Sequence, residues 1–203
     1  MSRSLQEIYD QFADTYEANR SVFDLSEVFE AFYQHLGVCG SLLDLGCGAG
    51  EPWAKYFLEC GWRVTGVDFS RRMVELAARY TPEMRPLTGD MRKVEFEPES
   101  FDVVTAIYSL FHVPTKDHRQ LFGKIHDWLV DGGWFFFTYA SCEYTGQPEF
   151  DGVKEFMGRQ LYYSHTTPER LKKQLGESGF RLAQSDYRTI GGETFLWVTA
   201  RKD

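Results

Sequence analysis

None of the four cysteines, at positions 39, 47, 60 and 142, pairs with another in a CxxC arrangement, so neither a zinc site nor a redox motif is indicated. The opening residues, MSRSLQEIYDQF, hold no apolar signal-peptide core. No apolar run approaches the roughly 18 residues of a membrane-spanning helix. These absences make a reducing cytoplasm the expected location, with no membrane partner. Positive charge is also scarce. The formal net charge is −8, which argues against a nucleic-acid partner, since such surfaces carry a basic footprint. The densest basic run, RLKK at 170–173, is accounted for by a solvated helix face. No histidine or acidic residues stand at metal-ligand spacing, which predicts metal-independent chemistry. Repeats, linkers and low-complexity tracts are missing too, so residues 1–203 read as one domain.

What remains is a regular alternation. Two amphipathic helices come first. SLQEIYDQFADTYEANR opens with Ser4 and Glu7 at capping-box spacing, and DLSEVFEAFYQHLG ends at Gly37. SLLDL (41–45) has strand character, followed by a helix from about Pro52 to Cys60. RVTGVD, a helix capped by Ser70, RPLTGD and the apolar FDVVTAIYSL come next. KDHRQLFGKIHDWLV is helical, Gly132-Gly133 breaks it, and WFFFTYA is a fifth strand. Residues 141–165 are read as irregular. A helix beginning at Thr166 or Thr167 with Pro168 in its first turn leads to two strands joined at Gly191-Gly192. This order predicts an α/β fold: a seven-stranded, mostly parallel sheet with a C-terminal antiparallel hairpin and helices on both faces. The parts are an N-terminal helical cap (1–38), a cofactor-binding core (39–140), a substrate-side segment (141–165) and a C-terminal helix with hairpin (166–203).

The chemistry centres on LLDLGCGAG, residues 42–50. Glycines after a strand let backbone approach a ligand at the carboxyl end of a sheet. A phosphate loop would need GxxxxGK with Ser or Thr, and the turn has no lysine. A dinucleotide fingerprint starting at Gly46 would place glycine or alanine where Glu51 stands, and a carboxylate there meets a pyrophosphate badly. An NAD-type oxidoreductase is therefore the weaker alternative.

Taken together, four motifs resemble those of class I (Rossmann-like) S-adenosylmethionine-dependent methyltransferases. LLDLGCGAG is similar to their first motif, GVDFS to the second, GDM to the third and FDVVTAIYSLFHV to the fourth. The resemblance implies S-adenosylmethionine as methyl donor and S-adenosylhomocysteine as product. It places Asp44, Gly46, Cys47, Gly48 and Gly50 around the methionyl end. Asp68 accepts from the ribose hydroxyls, with Phe69 and Met73 beside it. Asp90 accepts from the adenine amino group, with Met91 against the ring. Tyr9, Phe12 and Tyr16 would cover the ligand from an N-terminal lid, and Arg20 would meet the methionine carboxylate or an acidic acceptor.

YSLFHVP with the later YYSHTTPERLKKQLGESGF is similar to a broad group of small bacterial methyltransferases that act on small molecules. The expected reaction is in-line methyl transfer to an O, N or S nucleophile. A protein or tRNA acceptor is the alternative that the acidic composition disfavours. A hydroxyl or ammonium acceptor needs a base. Tyr108, His112, Tyr163 and His165 are the candidates, the two histidines ahead because imidazole titrates near neutrality. Their competing roles are structural: His112 bonding its turn, and His165 leading into the following helix.

Overall fold

The computed structural model describes residues 5–19 and 24–203, with the side chains at 12 and 16–19 excepted. Helix α1 (Leu5–Asn19) and α2 (Ser26–Tyr33) precede an alternating run. That run is β1 (Ser41–Leu45), α3 (Trp53–Glu59), β2 (Arg63–Asp68), α4 (Arg71–Tyr80), β3 (Arg85–Thr88), β4 (Phe101–Ala106), α5 (Thr115–Trp128) and β5 (Leu129–Tyr139). A short helix α6 (Cys142–Thr145), β6 (Phe150–Phe156), β7 (Arg159–His165), α7 (Pro168–Glu177), β8 (Phe180–Ile190) and β9 (Glu193–Lys202) complete it.

Seven strands form one sheet in the order β3-β2-β1-β4-β5-β9-β8. Strands β1 to β5 are mutually parallel, and β9 runs antiparallel to both neighbours. The expected seven-stranded, mostly parallel sheet with a C-terminal antiparallel hairpin is therefore present, with helices on both faces. Consecutive residues of each central strand face opposite ways. Leu43, Val104, Phe135 and Phe137 join Leu121, Phe122 and Ile125 of α5 and Leu171 and Leu175 of α7 in one core. Leu42, Val103 and Phe136 join Val28 and Phe32 of α2 and Trp53 and Phe57 of α3 in the other. This two-sided burial explains why β1 and β4 are apolar without alternation.

Two local expectations are corrected and one alternative is resolved. Residues 141–165 are not irregular: α6 is followed by the antiparallel pair β6–β7, which forms its own two-stranded sheet. Gly132 and Gly133 do not precede the fifth strand but lie within β5, where Gly132 has φ +72° and the pairing to β4 slips register. Of the two threonines, Thr167 is the cap of α7, accepting from the Arg170 amide at 3.3 Å. Ser70 caps α4 as expected, accepting from the Met73 amide.

Candidate active site

The sheet reverses its winding between β1 and β4, and a cavity of about 510 Å³ opens above that point. Its floor is the glycine turn. Gly46, Gly48 and Gly50 all have φ between +53° and +82°. Gly46 fits only without a side chain, because a Cβ there would stand 2.2 Å from the Cβ of Ser109. Gly48 is different: a Cβ there would meet only the Met73 sulfur, at 4.0 Å, and would otherwise stand in open space. Its missing side chain is room for a ligand. Both the Gly46 and Cys47 amides donate to the Val67 carbonyl, which fixes the turn against the end of β2.

Two buried carboxylates flank this turn. Asp68 ends β2 and accepts from the Gly48 amide at 3.0 Å and the Ser70 amide at 2.8 Å. Burial nevertheless pushes its carboxyl up to about 6, outweighing those two bonds. Asp44, in β1, accepts from the Thr105 hydroxyl at 2.8 Å. Burial raises it to about 7 against that bond, and the nearby charge of Asp68 adds to the rise. The Cys47 thiol is held well above its usual range by burial and by the same two acids, so it is an uncharged wall rather than a nucleophile. Such a floor repels a phosphate and suits a cation.

Phe69, Met73 and Met91 line the same cavity, as does Asp90. Asp90 is already held by a neighbour that sequence reasoning missed. Arg92 donates to it from its backbone amide at 2.9 Å, from Nε at 3.0 and 3.1 Å, and from a terminal nitrogen at 2.6 Å. Its other terminal nitrogen reaches Asp117 at 2.9 Å. Burial pushes Asp90 upward, but the Arg92 bonds together hold it below its usual value. An adenine amino group would have to share that carboxylate with Arg92.

Helix α1 forms the opposite wall through Leu5, Gln6 and Tyr9. It is fastened to α4 by Asp10, which accepts from the Ser70 hydroxyl at 2.6 Å and the Arg72 amide at 3.3 Å. The Tyr9 ring meets Phe69 edge-on at 5.7 Å, and its hydroxyl lies 2.9 Å from Nε2 of His112. Nδ1 of His112 faces the carbonyl oxygen of Tyr162 at 2.5 Å. A carbonyl only accepts, so Nδ1 carries the proton, and Nε2 presents its lone pair to the Tyr9 hydroxyl. Enclosure lowers the His112 pKa to about 4, with the Tyr162 bond opposing, so the ring is neutral at neutral pH. Tyr16 and Arg20 fall outside the described side chains, as does Phe12.

The four candidate bases separate. Tyr108 lines the cavity beside His112, in a left-handed conformation (φ +54°) fixed by its amide donating to Thr138 at 2.6 Å. Tyr163 stands one layer back, 4.9 Å from the His112 ring. His165 is not brought to the cavity. It lies two residues further along β7, roughly 6–7 Å at strand spacing. It lines a separate groove with Phe150 and Arg170. There its Nε2 meets the Thr145 hydroxyl at 2.7 Å and its Nδ1 faces the Thr166 carbonyl at 3.2 Å. Besides Arg92, the residues that sequence reading overlooked are Thr105, Ser109 and Asp10. Only Asp10 had a signal, its place one helical position from Tyr9.

Comparison with known proteins places the fold. Residues 42–133 match the family described as "Methyltransferase domain". The sterol 24-C-methyltransferase of Candida albicans is 31% identical over 87% of this chain and 46% of its own length. The demethylmenaquinone methyltransferase of Staphylococcus aureus is 30% identical over 62% of this chain and 51% of its own. The chain thus spans about half the length of the curated relatives it matches. Among solved structures, the 1,6-didemethyltoxoflavin-N1-methyltransferase of Burkholderia thailandensis, bound to its acceptor and S-adenosylhomocysteine, is 24% identical. It covers 100% of this chain and 92% of its own, with a TM-score of 0.72. The putative methyltransferase in complex with the Haloferax volcanii Trm112 activator is 17% identical, covers 98% of this chain and 97% of its own, and has a TM-score of 0.77. Below 25% identity these structures establish the fold. Residues 42–133 thus match a methyltransferase-domain family, and the chain carries the Rossmann-like fold of the S-adenosylmethionine-dependent methyltransferases among these solved structures.

Proposed function

We propose that this chain transfers the methyl group of S-adenosylmethionine to a small-molecule acceptor with an O, N or S nucleophile. The observation that carries this reading is the pair of buried carboxylates, Asp44 and Asp68, beside a turn whose Gly48 leaves open space. S-adenosylmethionine supplies a methyl on a cationic sulfur, so the activation arrives with the donor. What falls to the protein is positioning and the exclusion of water. Asp68 accepts from the ribose hydroxyls and Asp44 faces the methionyl ammonium. Met91, Phe69 and Met73 enclose the apolar parts. Arg92 keeps Asp90 ionised toward the adenine edge.

On the acceptor side, His112 is the base. Its Nε2 lone pair faces the cavity wall at Tyr9, and its proton stays on Nδ1 against Tyr162. A proton released by the acceptor reaches Nε2 directly or through the Tyr9 hydroxyl. The low basicity set by enclosure keeps this lone pair available across the neutral range. We favour His112 over His165 and Tyr163 because His165 lines a separate groove and burial holds the Tyr163 hydroxyl far above its ordinary range.

Binding and transfer test this reading. S-adenosylhomocysteine should raise the melting temperature and NAD should not; stabilisation by NAD alone would overturn the assignment. With donor labelled in its methyl group, label should enter the small-molecule fraction of a cell extract. Label found only in protein or tRNA would shift the acceptor class.

A further inference from the structure

The groove that holds His165 has a volume of about 500 Å³, close to that of the main cavity, and shares no lining residue with it. Three sides build it. Helix α5 contributes Thr115 and Arg119, and α7 contributes Arg170 and Gln174. Each pair is four residues apart and so lies on one helix face. The start of β6 and the end of β7 close the third side with Phe150 and His165, whose rings lie nearly parallel at 6.4 Å.

The two acids of the groove are already held. Glu149 accepts from Arg170 at 2.6 Å, and Asp151 accepts from the Tyr162 hydroxyl at 2.8 Å. Two of its cations are not. Lys116 and Arg119, both on the first turns of α5, have no carboxylate partner among the described residues. Gln174 carries the opposite want: its side-chain oxygen is buried and accepts no hydrogen bond among the described residues. A buried acceptor without a donor is costly, so a bound group that supplies one is favoured. Unpaired cations beside it call for an anion on the same molecule.

We propose that this groove is a second binding site, which takes a small organic phosphate bearing a hydroxyl group. The phosphate meets Lys116 and the Arg119 guanidinium, where no side chain caps α5 and the helix dipole favours negative charge. The hydroxyl donates to Gln174. Two separate cations suit the double charge of a phosphate monoester better than the single charge of a carboxylate. The site stands apart from the methyl-transfer cavity and does not depend on that reading.

The test is calorimetric titration of the full chain with glycerol 3-phosphate, methyl phosphate and glycerol. Glycerol 3-phosphate should bind saturably, and glycerol should not. Methyl phosphate, which lacks the hydroxyl, should bind at least about fivefold more weakly. Lys116→Ala and Arg119→Ala should each weaken glycerol 3-phosphate at least about fivefold without lowering the melting temperature. Gln174→Leu should erase the difference between the two phosphates. Lys93→Ala, on the wall of the main cavity, should leave binding unchanged. No saturable binding of glycerol 3-phosphate, equal binding of the two phosphates, or binding that survives Arg119→Ala would overturn the proposal. So would loss of binding in Lys93→Ala, which would put the phosphate in the main cavity.

Discussion

Burial raises both Asp44 and Asp68 above the ordinary carboxylate value of 3.8, to about 7 and about 6. The folded state therefore holds protons that the unfolded chain has released. Stability from these groups is fully present below about pH 4 and is lost as pH rises through their folded values toward 7. A cationic ligand prefers both groups ionised, so its affinity runs the other way. The gap in melting temperature between S-adenosylmethionine-bound and free protein should widen from pH 5.5 to 8; a constant gap would contradict this account. Asp68→Ala should weaken S-adenosylhomocysteine binding by ~1–3 kcal/mol, measured calorimetrically, since it removes a charge-assisted acceptor. Replacing His112 with glutamine should lower turnover by about 10²–10⁴-fold while leaving cofactor affinity close to wild type. Turnover in the wild type should show no loss traceable to His112 above pH 6, because that ring protonates only near pH 4.

Helix α1 is fastened to the amino end of α4 by Asp10, beside the Asp14–Arg72 ion pair at 2.8 Å. Asp10→Ala removes a capping acceptor worth about 1 kcal/mol, and the bound product should dissociate faster by stopped-flow. An unchanged off-rate would mean that α1 does not gate release. The strands β1, β2, β4 and β5 were legible because their apolar runs are bounded by glycine or a capping residue, whereas the four-residue β3 (RPLT) showed only through its place in the alternation. The β6–β7 hairpin was not legible. Its less exposed face on β6 reads Phe150, Gly152, Lys154, Phe156, so a glycine and a lysine stand where alternation should show apolar residues. The Met157-Gly158 turn was the available signal, with both residues at positive φ. The same gap misplaced His165. Without knowing that 159–165 is a strand, its step away from Tyr163 could not be measured. Asp44, Asp68, Asp90 and the glycines were legible because the backbone that brings them together is local. Arg92 on Asp90 and Asp10 on Ser70 depend on side-chain direction or on contacts across 60 residues.

Across the whole molecule, the two cores share one sheet, so site and stability are separable away from the cavity. Phe135 is fully buried, stacked on Phe137 at 4.4 Å. Phe135→Ala should cost ~3–5 kcal/mol in urea unfolding, while the folded fraction keeps its cofactor affinity. The position of β9 has a consequence in time rather than in space. It is the last strand along the sequence, yet it lies inside the sheet, pairing with β5 over Trp134–Tyr139 and with β8 on its other side. During synthesis, β5 keeps an open edge, and β8 has no partner, until residues 193–202 emerge and slide between them. Such long-range pairing is slow, and an unpaired aromatic edge invites other chains. The nascent chain is thus open to aggregation through that edge in the interval before β9 arrives.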